Sequence, residues 1–270
     1  MGTSNAGALR RGVLLPPIGD GYVVPPTWVT RGSSFGTDEL VDALVRSSRV
    51  VRREQPGGTL GIADLSPRGG GETLKHKSHE NGRDVDLIYF AIDARGRPLR
   101  PADAMIKFGP DGASLPWFKE HPEDPPPQAG WAPTPRRFDV ARNWALVKAL
   151  LEDPEVEVQW IFIADHLRQM LLDYARQQNE SCDLVDLAEW VMHRPTDSQP
   201  HDDHMHVRVL CDPADREFGC VDRAPVRWWK KHYKYMEPGW VRLQSRPLPE
   251  SLANLQVGPG WLLSSAIFRR

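Results

Sequence analysis

The chain has 270 residues, 34 basic against 36 acidic side chains, 40% apolar and 26% charged. That length can bury the core of one large domain or two small ones. A net charge of −2 excludes a polyanion binder driven by bulk charge, and no apolar run approaches the roughly 18 residues of a membrane-spanning helix.

The 25 prolines and 22 glycines argue against a helical bundle and for a loop-rich α+β domain with short strands. Residues 1–35 are rich in Gly, Pro and Ser and read as an extended wrapping segment. The apolar stretch behind Arg10 and Arg11 (12–15) is too short for a signal-peptide core, so either the protein is not exported by that route or a signal has been removed. Residues 37–53 predict a helix, with Thr37 as N-cap, Asp38 and Glu39 at the positive end, and an apolar stripe of Leu40, Val41, Leu44 and Val45. Gly57-Gly58 ends it, and 59–65 reads as a strand before the turn-prone 66–71. Residues 85–92 predict a second, buried strand. Eight prolines in 109–137 exclude regular structure there and suggest a surface loop overhanging a cleft. A helix is predicted over 138–152, a strand buried on both faces over 156–164, and a helix capped by Asp165 through about 178. A short helix at 184–192 and a strand at 204–210 follow. The tail from 222 is basic and aromatic, including Trp228, Trp229, Lys230, Lys231, Tyr233, Lys234 and Tyr235.

Of three cysteines, Cys211 and Cys220 are nine apart and can close a short disulfide loop, which leaves Cys182 over. The chain has no CxxC pair, which argues against a cysteine-based zinc site.

Five of the nine histidines fall in two clusters, His76-Lys-Ser-His79-Glu-Asn-Gly-Arg-Asp84-Val-Asp86 and His201-Asp-Asp203-His204-Met-His206-Val-Arg208. Strand alternation puts His204 and His206 on one face, and Asp84 and Asp86 on one face of the other strand. Paired imidazoles are costly to bury without a partner. A divalent metal is the natural one, although one of the two histidines can instead serve as acid or base. Gly82 lets the preceding loop bend and bring His79 over Asp86. A His, Asp, His set with an open position is the pattern of catalytic zinc, and the remaining histidine on the same face, His204, is placed to act as base. The plain alternative for His76, His201 and the flanking aspartates is a solvated polar rim. For the scattered His121, His166, His193 and His232 it is an ordinary structural role.

These two clusters resemble the penicillin-insensitive murein endopeptidases. These are MepA-type metallopeptidases of the group that includes lysostaphin-type peptidases, D-Ala-D-Ala peptidases and the hedgehog signalling domain. Supporting matches are the Pro67–Gly70 turn, Arg194-Pro195, Asn143-Trp144 and the Cys211 and Cys220 pair. The resemblance implies an α+β fold with a small central antiparallel sheet flanked by helices, the zinc-peptidase fold of the MepA/D-Ala-D-Ala peptidase type. It also implies one zinc ion on His79, Asp86 and His206, with His204 as general base. His76 and His201 match further active-site histidines that hold the substrate or assist the oxyanion when protonated. The implied reaction is hydrolysis of the D-alanyl–meso-diaminopimelyl cross-link of peptidoglycan by water, without a serine nucleophile, in the periplasm. The partners are peptidoglycan stem peptides, with no nucleic acid. The insert and the tail depart from the family pattern. The resemblance runs from about residue 7 to 220; the domain expected spans 1–221 with the proline-rich insert 109–137, and 222–270 is expected as a C-terminal extension packed on the same domain.

Stem peptides carry carboxylates, so a cation should line the cleft. Arg68 and Arg83 lie near the motif loops, and alternation puts Arg208 on the ligand face; a structural salt bridge is the alternative for each. Asp84 and Asp203 can orient imidazoles from behind, and an exposed edge position is the alternative for Asp84. Two other functions fit the same zinc pattern. One is a D,D- or L,D-carboxypeptidase on stem peptides. The other is a non-catalytic zinc-bearing wall-binding module, against which the presence of His204 argues.

Overall fold

The computed structural model describes residues 1–73, 75–115, 135–196 and 198–223. Among them lie six helices: α1 (Pro26–Arg31), α2 (Asp38–Glu54), α3 (Val140–Leu151), α4 (Asp165–Gln177), α5 (Cys182–Val191) and α6 (Pro213–Glu217). The main sheet has seven strands: β1 (Ile18–Gly19), β2 (Tyr22–Val23), β3 (Leu60–Ile62), β4 (Asp84–Ile88), β5 (Val158–Phe162), β6 (Met192–His193) and β7 (His204–Val209). Their spatial order is β6-β5-β7-β4-β3-β2-β1. The architecture is α+β, as composition and element order predict.

The four central strands, β5, β7, β4 and β3, pair antiparallel as expected. The sheet as a whole is larger than expected and mixed, because β2 runs parallel to β3 and β6 parallel to β5. Parallel neighbours need a crossover connection. The helices supply one in each case, α1 and α2 between β2 and β3, α4 and α5 between β5 and β6.

Local chemistry explains most helix boundaries. Thr37 accepts from the Leu40 amide at the start of α2, Asp139 caps α3 through Arg142 N, and Ser181 caps α5 through Leu184 N. The expected cap at Asp165 is displaced by one residue. Ala164 holds the N-cap position without a side-chain bond, and Asp165 instead places its charge in the first turn of α4. The wrapping segment is not featureless. It holds α1 and short strand pairs, Gly2–Thr3 with Ala6–Gly7 and Val13–Leu14 with Phe35–Gly36.

On β4 and β7 the sides are sharply divided. Val85, Leu87, Met205 and Val207 are wholly buried in the apolar core. The other face carries Asp84, Asp86, His204, His206 and Arg208. Cys211 and Cys220 form a disulfide around α6, and Cys182 is exposed and free. The flanks of the proline-rich insert are tied together, with Ala113 bridging Arg137 and Ser114 N donating to Arg136 O. Residues 116–134 and the extension from 224 lie outside the described residues.

Candidate metal centre

Register builds the floor of the site. β7 opposes β4 so that His206 faces Asp86, Arg208 faces Asp84 and His204 faces Ile88. The loop from β3 to β4 brings His76 and His79 over that floor, and the loop before β7 brings His201. Two of these loop histidines have left-handed backbone, His79 at φ 68° and His201 at φ 58°, a costly state for a residue with a Cβ. Gly82 (φ 82°) makes the bend foreseen for it. A Cβ there would meet Leu9 Cδ1 at 2.6 Å and Thr37 N at 3.0 Å. Ser66, fully buried, fastens the loop by donating to His79 O and accepting from Gly82 N.

Each imidazole of the cluster is held at its outer nitrogen by an atom that can only accept. His76 Nε2 donates to Asp64 Oδ2 (3.1 Å) and His79 Nδ1 to Leu65 O (2.9 Å). His201 Nδ1 donates to Gln199 O (2.6 Å), His204 Nδ1 to Asp203 Oδ1 (2.6 Å), and His206 Nε2 to Asp84 Oδ1 (2.8 Å). The outer N–H fixes the tautomer, so in a neutral ring the inner nitrogen presents a lone pair. Four of these inner nitrogens face one carboxylate. His206 Nδ1, His79 Nε2 and His204 Nε2 stand 3.0, 3.3 and 3.5 Å from Asp86 Oδ1, and His76 Nδ1 stands 3.7 Å from Oδ2.

Acceptors packed against an acceptor are stable only if something positive lies between them, a proton or a metal ion. Buried His79 Nε2 and Asp86 Oδ1 have no hydrogen-bond partner, which costs on the order of 1–3 kcal/mol per group if nothing satisfies it. The donor set of imidazole nitrogens and one carboxylate suits zinc, and the residues present fit the ion. By spacing, His76, His79 and Asp86 form a group that could hold a metal ion, with donor atoms within 4.8 Å of one another. His76 thus stands in that group where the resemblance implied His206, while His206 meets the same Asp86 oxygen as His79.

The charges behind the cluster are strong. Burial opposes ionisation of Asp84, but Arg208 and the hydrogen bond from His206 outweigh it and hold the carboxyl far below the usual range. Burial likewise opposes ionisation of Asp86, and His79 and His204 outweigh it. His204 is pushed up to about 9, because Asp86 and Asp203 overcome its burial. His201 goes the other way, down to about 4, from burial and from the neighbouring His204 and His206. At neutral pH His201 is therefore uncharged and offers its inner nitrogen as an acceptor, not the protonated ring expected for an oxyanion contact.

Asp84 and Asp203 stand behind His206 and His204. Of the expected cleft cations, Arg208 is committed to Asp84 (Nε–Oδ1 2.7 Å) and lies over Phe162. Arg83 is buried and bound to Asp222 and Val209 O, so it does not line a cleft. Arg68 is exposed on the turn after β3. Sequence reasoning missed Asp64, which accepts from His76 and from Arg31 Nη1 (2.6 Å). The available signal was a lone charge inside the apolar run Leu60–Leu65. It also missed Tyr89, whose hydroxyl donates to His201 O.

Residues 1–105 match the family described as penicillin-insensitive murein endopeptidase, a span that holds the first histidine cluster. Proteins of that name align with most of the chain. The relative from Klebsiella pneumoniae subsp. pneumoniae is 28% identical over 229 residues, covering 83% of this chain and 70% of its own. Those from Salmonella paratyphi C and Salmonella newport are 27% and 28% identical, each covering 88% of this chain and 78% of its own. The similarity expected from the two motifs is thus met across most of the chain.

Proposed function

We propose that this protein is a zinc-dependent peptidoglycan hydrolase that cleaves the D-alanyl–meso-diaminopimelyl cross-link in the periplasm. Residues 1–221 form the metallopeptidase domain, with a fold of the D-Ala-D-Ala peptidase type, and 222–270 form its extension. One observation carries the reading: the inner nitrogens of His79 and His206 converge on the same oxygen of buried Asp86, in a chain similar to murein endopeptidases. His79, Asp86 and His206 are the ligands.

Zinc held there supplies Lewis acidity toward the scissile carbonyl and the attacking water. With the main charge that keeps His204 protonated offset by a cation on Asp86, His204 Nε2 is neutral, and it takes the proton of that water and returns it to the leaving amine. Asp203 accepts the Nδ1–H of His204 and stabilises the imidazolium between the two transfers. Asp64 does the same for His76, which in its protonated form donates to the carbonyl oxygen as charge develops there. Neutral His201 accepts a hydrogen bond from a substrate amide. Asp84 keeps His206 in the tautomer that presents Nδ1 to the metal.

The test is incubation of purified cross-linked muropeptide dimers with the protein, with and without a chelator, with products identified by mass. Chelator-sensitive conversion of dimers to monomers is expected. Release of free D-alanine alone would make the protein a carboxypeptidase, and zinc binding without any product would make it a binding module.

A further inference from the structure

The cluster is joined to the surface by a chain of contacts that the mechanism above uses only at its inner end. Asp86 faces His76, His76 Nε2 donates to Asp64 Oδ2, and the same Asp64 oxygen accepts from Arg31 Nη1 at 2.6 Å. Asp64 is almost wholly buried, while the Arg31 side chain is 30% exposed. Arg31 is the last residue of α1, and its guanidinium lies 5.4 Å from the centre of the Trp28 ring, which restricts its rotamers.

The geometry of this pair differs from that of a closed structural bridge. A guanidinium usually meets a carboxylate with two parallel hydrogen bonds. Here Asp64 uses only Oδ2, shared with His76, and its Oδ1 is buried without a hydrogen-bond partner. Arg31 therefore commits one nitrogen, and its other donors make no hydrogen bond among the described residues. Arg208 meets Asp84 in the same one-oxygen manner, sharing Oδ1 with His206, but its side chain is only 11% exposed. Arg31 is thus the more open of two guanidiniums that each meet a carboxylate of the site through one nitrogen, while Arg83 is buried and bound to Asp222 and Val209 O.

We propose that Arg31 is the residue that binds a free carboxylate of the peptide substrate, and that Asp64 positions it for that contact beside His76. The inference deepens the reading above and rests on it for the identity of the substrate. Arg31 sets specificity and does not take part in proton transfer. Its planar fork suits a carboxylate, and the Asp64 anchor lowers the entropy lost on binding.

The test uses the zinc-loaded full chain and a cross-link peptide N-methylated at the scissile amide, prepared with free carboxylates and with carboxamides. Wild type is expected to bind the carboxylate form about 10-fold or more tightly than the carboxamide. Arg31→Gln should bring the two within about twofold, mainly by weakening the carboxylate form, and Arg31→Lys should restore part of the difference. A ratio unchanged in Arg31→Gln overturns the proposal. So does equal binding of both forms by wild type, no binding of either form, or a ratio lost instead in Arg68→Gln. A general structural defect would weaken both forms alike and would leave the ratio intact. If Arg31→Gln fails to fold, the ratio in Arg31→Lys decides: a reduced preference supports the proposal and an unchanged one overturns it. Muropeptide cleavage by wild type is measured in parallel. A carboxylate preference that depends on Arg31 in a protein that cleaves no cross-link would refute the hydrolase reading and leave this one standing.

Discussion

Strands β4 and β7 and the histidine-bearing loops deliver donors to the same point by different means. The strands do it by register. Once β7 lies antiparallel to β4 with His206 opposite Asp86, alternation alone places Asp84, Asp86, His206 and Arg208 on one face. The loops do it by strain and by buried fasteners. His79 and His201 keep a left-handed backbone, and Ser66, Leu65 O and Gln199 O hold them there. The strand half of the site is therefore stable by the same interactions that make the fold. The loop half depends on a few hydrogen bonds that a metal ion would reinforce.

Substitutions on the two sides test that contrast. The largest effect is expected from Asp84→Asn, on the strand side. It leaves Arg208 nearly buried without its anion and puts a neutral amide, a weaker acceptor, behind His206. Stability should fall by about 3–5 kcal/mol in urea unfolding, and zinc affinity by about 10–100-fold in chelator competition. Ser66→Ala acts on the loop side alone. The buried His79 carbonyl and Gly82 amide lose their common partner, at about 1–3 kcal/mol. Most of that loss should be recovered when zinc is bound, because the ion holds His79 in place. If zinc rescues Asp84→Asn as fully as Ser66→Ala, the division between strand and loop is wrong.

The smallest effect belongs to a pair remote from both halves. Glu180 accepts from Lys148 and from Trp144 Nε1. Burial opposes its ionisation, and Lys148 and Trp144 outweigh that, so its folded pKa lies below the usual value of 4.5. The stabilisation is therefore fully present above the unfolded pKa and is lost as pH falls through the folded one. The pair is partly exposed, so Glu180→Gln should cost no more than about 1 kcal/mol at pH 7, and the difference from wild type should shrink below pH 4. A constant difference across that range would mean that the loss is packing and not charge.

The same contrast governs how much was legible in the chain. The strand half could be read directly, because period-two spacing of His204, His206, Asp84 and Asp86 is itself the geometry. The capped helices α2, α3 and α5 were also predicted close to their observed places, since each apolar stripe begins at or just after its Thr, Asp or Ser cap. The parallel edges of the sheet were not, because β6 and β2 are two-residue strands without a periodic signal. Gly82 announced the bend at the first cluster. Nothing local announced that Leu65 O would hold His79 or that Asp64 would link His76 to Arg31, because those contacts join residues far apart in sequence.

In the proposed site His79, Asp86 and His206 share one cation. The most direct measurement is zinc stoichiometry and affinity, by chelator competition, for wild type, Asp86→Ala, His206→Ala and His76→Ala. One zinc per chain is expected, with affinity lower by more than about 100-fold in Asp86→Ala and His206→Ala, beyond the effect of losing an outer partner. His76→Ala should stay within about 10-fold of wild type. Full affinity in Asp86→Ala, or a large loss in His76→Ala beside an intact His206→Ala, would contradict the account.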